Sequence, residues 1–260
     1  MKFAIVVSRK DEAGMTIAGE LKKLDVDFIF LEEISIYADE EVNKKCSDAD
    51  FVIFATKHES EKKMPALTVH APGNWGKAEL GGEEGKVCKT SAMFLKLLFN
   101  ILNDEVGKQK LEGYEVTMEC THHGPLIDKL CCFIEIGSSV EEWRDEKAGK
   151  VIAKAIINSI NKFNNLKNNL EAVICIGGPH YCPNFKKIQL NSEYAVGHVI
   201  PQYCLPLTSG MIKDAVAKTV ESVKKAIIDW KGCGVSAERE GVIEILKSEG
   251  LKILRSDRVE

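Results

Sequence analysis

Short apolar runs recur along this chain, and the stretches between them carry apolar residues at helical spacing. Lys2 to Ser8 is almost wholly apolar, the pattern of a strand buried on both faces. Residues 12–24 follow, with Met15, Ile17, Ala18, Leu21 and Leu24 spaced for a helix. Asp27 to Leu31 and Phe51 to Thr56 predict two further strands. Lys57 to Lys89 is polar and glycine-rich with few apolar repeats, and it predicts a long loop of the kind that is functional or mobile. Residues 90–106 predict a helix whose stripe is Met93, Phe94, Leu97, Leu98, Ile101 and Leu102, capped by Thr90 or Ser91 and ended by Gly107.

Tyr114 to Cys120 and Lys129 to Ile136 predict strands, paired antiparallel around the segment that joins them. Ser138 or Ser139 then caps a long helix with Trp143, Val151, Ile152 and Ile156 on its buried face, and Asn161 to Asn169 is a solvated connection. Ala172 to Gly177 and Ala195 to Ile200 are further strands. A helix is expected from about Thr208 to Trp230, broken by Gly232-Cys233-Gly234, with a last short helix opened by Ser236 and a closing strand at Leu251 to Leu254. This alternation predicts an α/β fold, a mixed, largely parallel sheet flanked by helices. Residues 1–260 are expected to form a single catalytic domain, in one body or two intimately packed lobes.

Composition narrows the function classes. A formal net charge of −4 means that any nucleic acid must be held by a local basic patch. Lys57 with Lys62 and Lys63, Lys86 with Lys89, and Lys186 with Lys187 are the candidates, each taken singly better read as solvated surface. No stretch approaches the roughly 18–20 apolar residues of a membrane span, so no membrane partner is expected. Nine cysteines without CxxC spacing fit reduced thiols in a cytoplasmic protein and argue against a zinc ribbon. Walker, HExxH, dinucleotide-type and Gly-x-Ser-x-Gly patterns are also absent.

Histidines carry the candidate chemistry. Four of the six sit just past apolar runs: FVIFAT leads to His58, VTMEC to His122 and His123, and AVICIGG to His180. On an open parallel sheet, carboxyl ends of strands share one edge, so these imidazoles are expected to converge on one rim. In Glu119-Cys120-Thr121-His122-His123-Gly124-Pro125 neighbouring side chains would alternate on a regular strand, but Gly124 and Pro125 imply a bend. One or both histidines then bind a divalent metal, with Glu119 or Glu135 as ligand or orienting carboxylate; alternatively one bonds the backbone and the other is exposed. Gly177 and Gly178 precede His180 in a turn whose N–H groups are expected to face an oxyanion, or which merely tolerates the histidine. In the long loop His70, Asn74 and Trp75 are candidate substrate contacts with Lys57 nearby; Trp75 offers a stacking face for a base or else anchors the loop to the core.

Taken together, TVHAPGNWG, ECTHHGP, IEIGSSVEEW and GGPHY resemble the archaeal- and plant-type D-aminoacyl-tRNA deacylases. KFAIVVSRKDEAGMTIAGEL, the HESE after ATK, and VGHVIPQY fit the same family, so the resemblance runs in unbroken order from Met1 to about Trp230. It implies a phosphorylase- or hydrolase-like α/β fold and cleavage of the ester joining a D-amino acid to the terminal ribose of tRNA. It further implies Zn2+ as cofactor, the acceptor end of aminoacyl-tRNA as partner, a cytoplasmic location and a monomer, with no protein partner. The catalytic group expected here is His122, His123, His180 and Glu119, and the metal ligands are drawn from His122, His123, His180 and Glu135. A metal-activated water, or assistance from the neighbouring ribose hydroxyl, would drive hydrolysis. The rival functions are a small-molecule metallohydrolase or nucleoside phosphorylase, and a tRNA-binding module without catalysis.

Overall fold

A computed structural model describes residues 1–61, 63–165 and 169–259. Strand β1 (Phe3–Ser8) is buried over its last four residues, and α1 (Glu12–Lys23) starts where the Asp11 carboxylate accepts the Gly14 N–H. β2 (Ile29–Leu31) and α2 (Asp39–Lys45) lead into the buried β3 (Phe51–Lys57). β4 (Ala66–His70) follows, inside the stretch expected to be a loop. Five buried residues between Met64-Pro65 and Ala71-Pro72 are too few to display an alternation, so pairing to neighbours, not local pattern, makes this segment a strand.

α3 (Ala92–Gln109) is capped by Ser91 as expected but runs past Gly107 to Lys110, which ends it in a left-handed conformation. β5 (Glu115–Met118) and β6 (Leu130–Gly137) do not pair with each other; β4 lies between them. Ser139 starts only the short α4 (Val140–Trp143), and Asp145 caps the separate α5 (Glu146–Phe163). Part of the connection expected at Asn161 to Asn169 is therefore helix, and residues 166–168 of it lie outside the described residues, as does Lys62.

The remaining elements are β7 (Glu171–Ile176), α6 (Pro183–Asn191), β8 (Tyr194–Ile200), α7 (Ser209–Ala217), β9 (Lys225–Ile228), α8 (Ser236–Ser248) and β10 (Lys252–Arg255). The helix expected from Thr208 to Trp230 stops at Ala217, and its apolar tail becomes β9. Before β9, the Glu221 carboxylate accepts the Ser91 hydroxyl and the Ala92 and Met93 N–H groups at the start of α3. A fixed negative charge at a helix N-terminus is stabilising.

The expected mixed, largely parallel α/β architecture is present, divided into two sheets. The first has the order β2-β1-β3-β6-β4-β5, all parallel except the β4–β6 pair. The second, β10-β9-β7-β8, is parallel throughout. One core cluster contains residues of both, with Ile134 and Leu67 of the first alongside Val173 and Val199 of the second. No helix among the described residues is long and apolar enough to cross a membrane.

α3 buries one cation. Lys96 is 4% exposed, donates to the Gln189 carbonyl, and is pushed down to about 8 by burial. Its folded value lies below its ordinary 10.5, so the charged form costs stability at pH 7 and that cost disappears as pH climbs from 8 towards 10.5. Lys96→Met is expected to stabilise the fold at pH 7 by about 1–3 kcal/mol, the upper figure reduced by the lost bond. Denaturant midpoints of both proteins between pH 7 and 10.5 check this; an advantage that does not shrink with pH refutes the charge argument.

Candidate active site

Three cross-strand neighbours define the floor of the site. Thr56 on β3 lies opposite Glu135 on β6, and Glu135 lies opposite Thr68 on β4. Both threonine hydroxyls donate to the Glu135 carboxylate, at 2.9 Å each. Side chains two apart on a strand share a face, so this register also brings His58, His70 and Phe133 to the same side. Thr117 pairs with Thr68 across β4 and β5, and Glu119 follows two residues on. Gly137 permits the close approach of His58, because a Cβ there would stand 2.5 Å from its Cδ2.

The expectation of a common rim at carboxyl strand ends is corrected by this topology. β4 and β5 run against β3 and β6, and β7 belongs to the other sheet, so the strands lead in different directions. The imidazoles still converge, over the face of the sheet. His123 adopts φ +46°, which lets it and His122 turn to one side with ring centroids 4.2 Å apart. The Gly73 N–H bonds back to the His123 carbonyl at 2.7 Å, and the Cys120 N–H to the His180 carbonyl at 2.9 Å, closing the cluster from both flanks.

Glu119 is its hub, 1% exposed. One carboxylate oxygen stands 3.0 Å from His58 Nδ1; the other is 2.8 Å from His180 Nε2 and 3.3 Å from His122 Nε2. Burial opposes its ionisation, yet His180 and then His58 outweigh it and hold the carboxyl well below the carboxylate range. Burial likewise opposes protonation of His58, but Glu119 raises it. His180 is also raised against burial, by hydrogen bonds to Cys120 and Glu119. His122 and His123 go the other way: burial first, then neighbouring imidazoles, holds His122 well below its usual range and brings His123 to about 4.

Nδ1 of His122 bonds the Cys120 carbonyl at 2.9 Å, and Nδ1 of His123 the Gly124 carbonyl at 2.6 Å. His70 Nδ1 stands 3.3 Å from the Ala71 carbonyl, while its Nε2 is buried without a hydrogen-bond partner, 3.7 Å from Glu135. A carbonyl on Nδ1 fixes the proton there and leaves Nε2 as a lone pair. One ring nitrogen from each of His70, His122 and His123 lies within 4.8 Å of the others, and two more such groups adjoin: Cys120, His122 and His180, and His58, Glu119 and Glu135. Deprotonated nitrogens crowded beside a carboxylate form a donor set suited to a divalent cation.

A family model described as D-aminoacyl-tRNA deacylase matches residues 45–254. The chain belongs to the D-aminoacyl-tRNA deacylase family. A D-aminoacyl-tRNA deacylase of Caldivirga maquilingensis is 33% identical over 98% of this chain and 99% of its own length. That of Pyrococcus abyssi is 40% identical over 75% of this chain and 71% of its own length. A crystal structure described as a conserved protein of unknown function, AF0625, superposes with TM-score 0.89 at 29% identity, over 99% of this chain and 96% of its own.

Within this deacylase-family fold, His122, His123, His180 and Glu119 lie together, while Glu135 joins through His58 and His70. His58, expected on the converging rim but given no catalytic or metal role, and His70, expected only as a substrate contact, are members of the cluster. Both had a signal: Thr56-x-His58, Thr68-x-His70 and Thr117-x-Glu119 alternate polar residues on otherwise buried strands. Gly177 and Gly178 do not offer an oxyanion hole, because their N–H groups bond the Ile200 and Gly232 carbonyls. Trp75 is the anchor and not the stacking face, 8% exposed with its indole N–H on the Val199 carbonyl at 3.0 Å. Asn74 ties its loop to the Gly81 carbonyl, and the Lys57 ammonium pairs with Glu59 above the Trp143 ring.

Proposed function

We propose that this protein hydrolyses the ester of D-aminoacyl-tRNA, releasing free D-amino acid and tRNA, with a zinc ion held by His70, His122 and His123. The observation that carries the metal assignment is the buried, partnerless Nε2 of His70 beside two histidines whose Nδ1 atoms are tied to carbonyls. Family membership supports the substrate. When bound, such an ion supplies a Lewis acid for the ester carbonyl and lowers the pKa of water towards ~7. Cys120 and Glu119 raise His180 at the cavity wall, where it is the group to give a proton to the departing ribose oxygen. Glu135, held by Thr56 and Thr68, keeps a negative charge beneath the imidazoles. Such a reaction belongs in the cytoplasm, where charged tRNA is used.

Purified protein incubated with D-Tyr-tRNA and L-Tyr-tRNA, with and without a chelator, tests the proposal. Release of tyrosine from the D-form alone, lost on chelation and restored by zinc, is expected. Inertness of metal-replete protein towards both substrates removes it and leaves a tRNA-binding role. Turnover that survives complete metal removal retains deacylation and refutes the role of zinc.

A further inference from the structure

His122 and His123 form a ridge between two cavities. The larger, about 500 Å³, is walled by Ile34, Ile36, Leu80 and Phe133, with Glu59 and Asp11 also on its lining. The smaller, about 320 Å³, is lined by Tyr203, Lys77, Thr121 and the loop at Gly73 to Gly76. Resting on the function proposed above, we infer that the terminal nucleotide of the tRNA enters the smaller cavity, over Tyr203 and Lys77, and that the aminoacyl group occupies the larger one.

Tyr203 is 62% exposed, although its hydroxyl is tethered 3.0 Å from Cys120 Sγ and 3.1 Å from His180 Nδ1. A largely exposed ring pinned at one end is a platform for a base, and stacking of this kind tolerates any sequence. Lys77 is exposed and makes no ion pair among the described residues, so it is available to a phosphate. The other side is closed to a polyanion. Beyond Tyr37, which also lines the larger cavity, a groove carries seven carboxylates against two lysines. Tyr37 and Leu80 are themselves exposed, as an apolar mouth for a side chain requires.

The test compares steady-state kinetics on tRNAs carrying D-alanine and D-tyrosine with binding of the ribotrinucleotide CCA. Tyr203→Ala is expected to raise KM by roughly 5- to 100-fold for both substrates and to weaken CCA to a similar degree. Tyr203→Phe, which keeps the ring and drops the tether, should stay near wild type in KM. Lys77→Ala should flatten the dependence of log KM on log salt by about 0.7. Leu80→Trp should impair the D-tyrosyl substrate far more than the D-alanyl one. An unchanged KM and CCA affinity in Tyr203→Ala overturns the assignment, as does a Leu80→Trp defect that is equal for both amino acids and accompanied by loss of CCA. Wild-type protein that binds CCA through Tyr203 yet deacylates nothing would refute the proposed reaction while retaining the nucleotide pocket.

Discussion

Glu119→Gln is expected to lower kcat on D-aminoacyl-tRNA by about 10²–10⁴-fold with little change in the folding transition. The amide fills the same space, so packing is retained. What disappears is the charge that three imidazoles share: Glu119 lies within 3.0 Å of His58 and His180 and 3.3 Å from His122. Without it, burial prevails at His58, and His180 loses one of the two partners, Cys120 and Glu119, that raise it, which weakens its hold on the proton it is proposed to deliver. Nuclear magnetic resonance titration of the imidazoles should show both changes, and it separates an electrostatic hub from a merely structural residue. A variant that retains near wild-type turnover, or one that simply unfolds, refutes the role given to Glu119.

The second large effect concerns His70→Ala. Bound zinc, measured by elemental analysis, is expected to fall below stoichiometry, and turnover to drop by about 100-fold or more. Loss of an outer partner alone costs 10–100-fold, and a ligand should cost at least as much. The variant should match chelated wild type, but only wild type should recover when zinc is returned. His70 is buried and its Nδ1 bonds the Ala71 carbonyl, so the truncation should also cost about 2–4 kcal/mol of stability, and zinc is compared at a temperature where both proteins remain folded. Stoichiometric zinc in His70→Ala would move the metal to another of the adjoining donor groups.

Both predictions use residues whose roles were unequally visible in the chain. Glu119, His122, His123 and His180 stand out because they break apolar runs at turns, and a histidine after a buried strand has few purely structural reasons to be there. His58 stands out as a rim histidine without an assigned role, and His70 is half hidden. Each ends a Thr-x-His alternation, yet Ala66–His70 sits among glycines and charges, and five residues cannot separate a strand from a loop that happens to be apolar. The tail of the expected 208–230 helix failed for a related reason. Lys225–Ile228 fits a helical stripe as well as a strand, and only the parallel partners β7 and β10 decide it. Trp75, Asn74, Gly177 and Gly178 have the residue types of a binding site, but their polar groups are spent on backbone.

By itself, then, the chain determined its α/β class, because burial periodicity is a local property, and its family, because long segments match in order. It also marked four of the six imidazoles as candidates for one site. Tertiary structure alone decided where they meet. The parallel β3–β6 pair sets Thr56 beside Glu135, and the reversed β4 adds Thr68 on the other side and brings His70 onto the face that His58 shares. Strand direction is set by pairing between segments far apart in sequence, and no window short enough to read periodicity contains it.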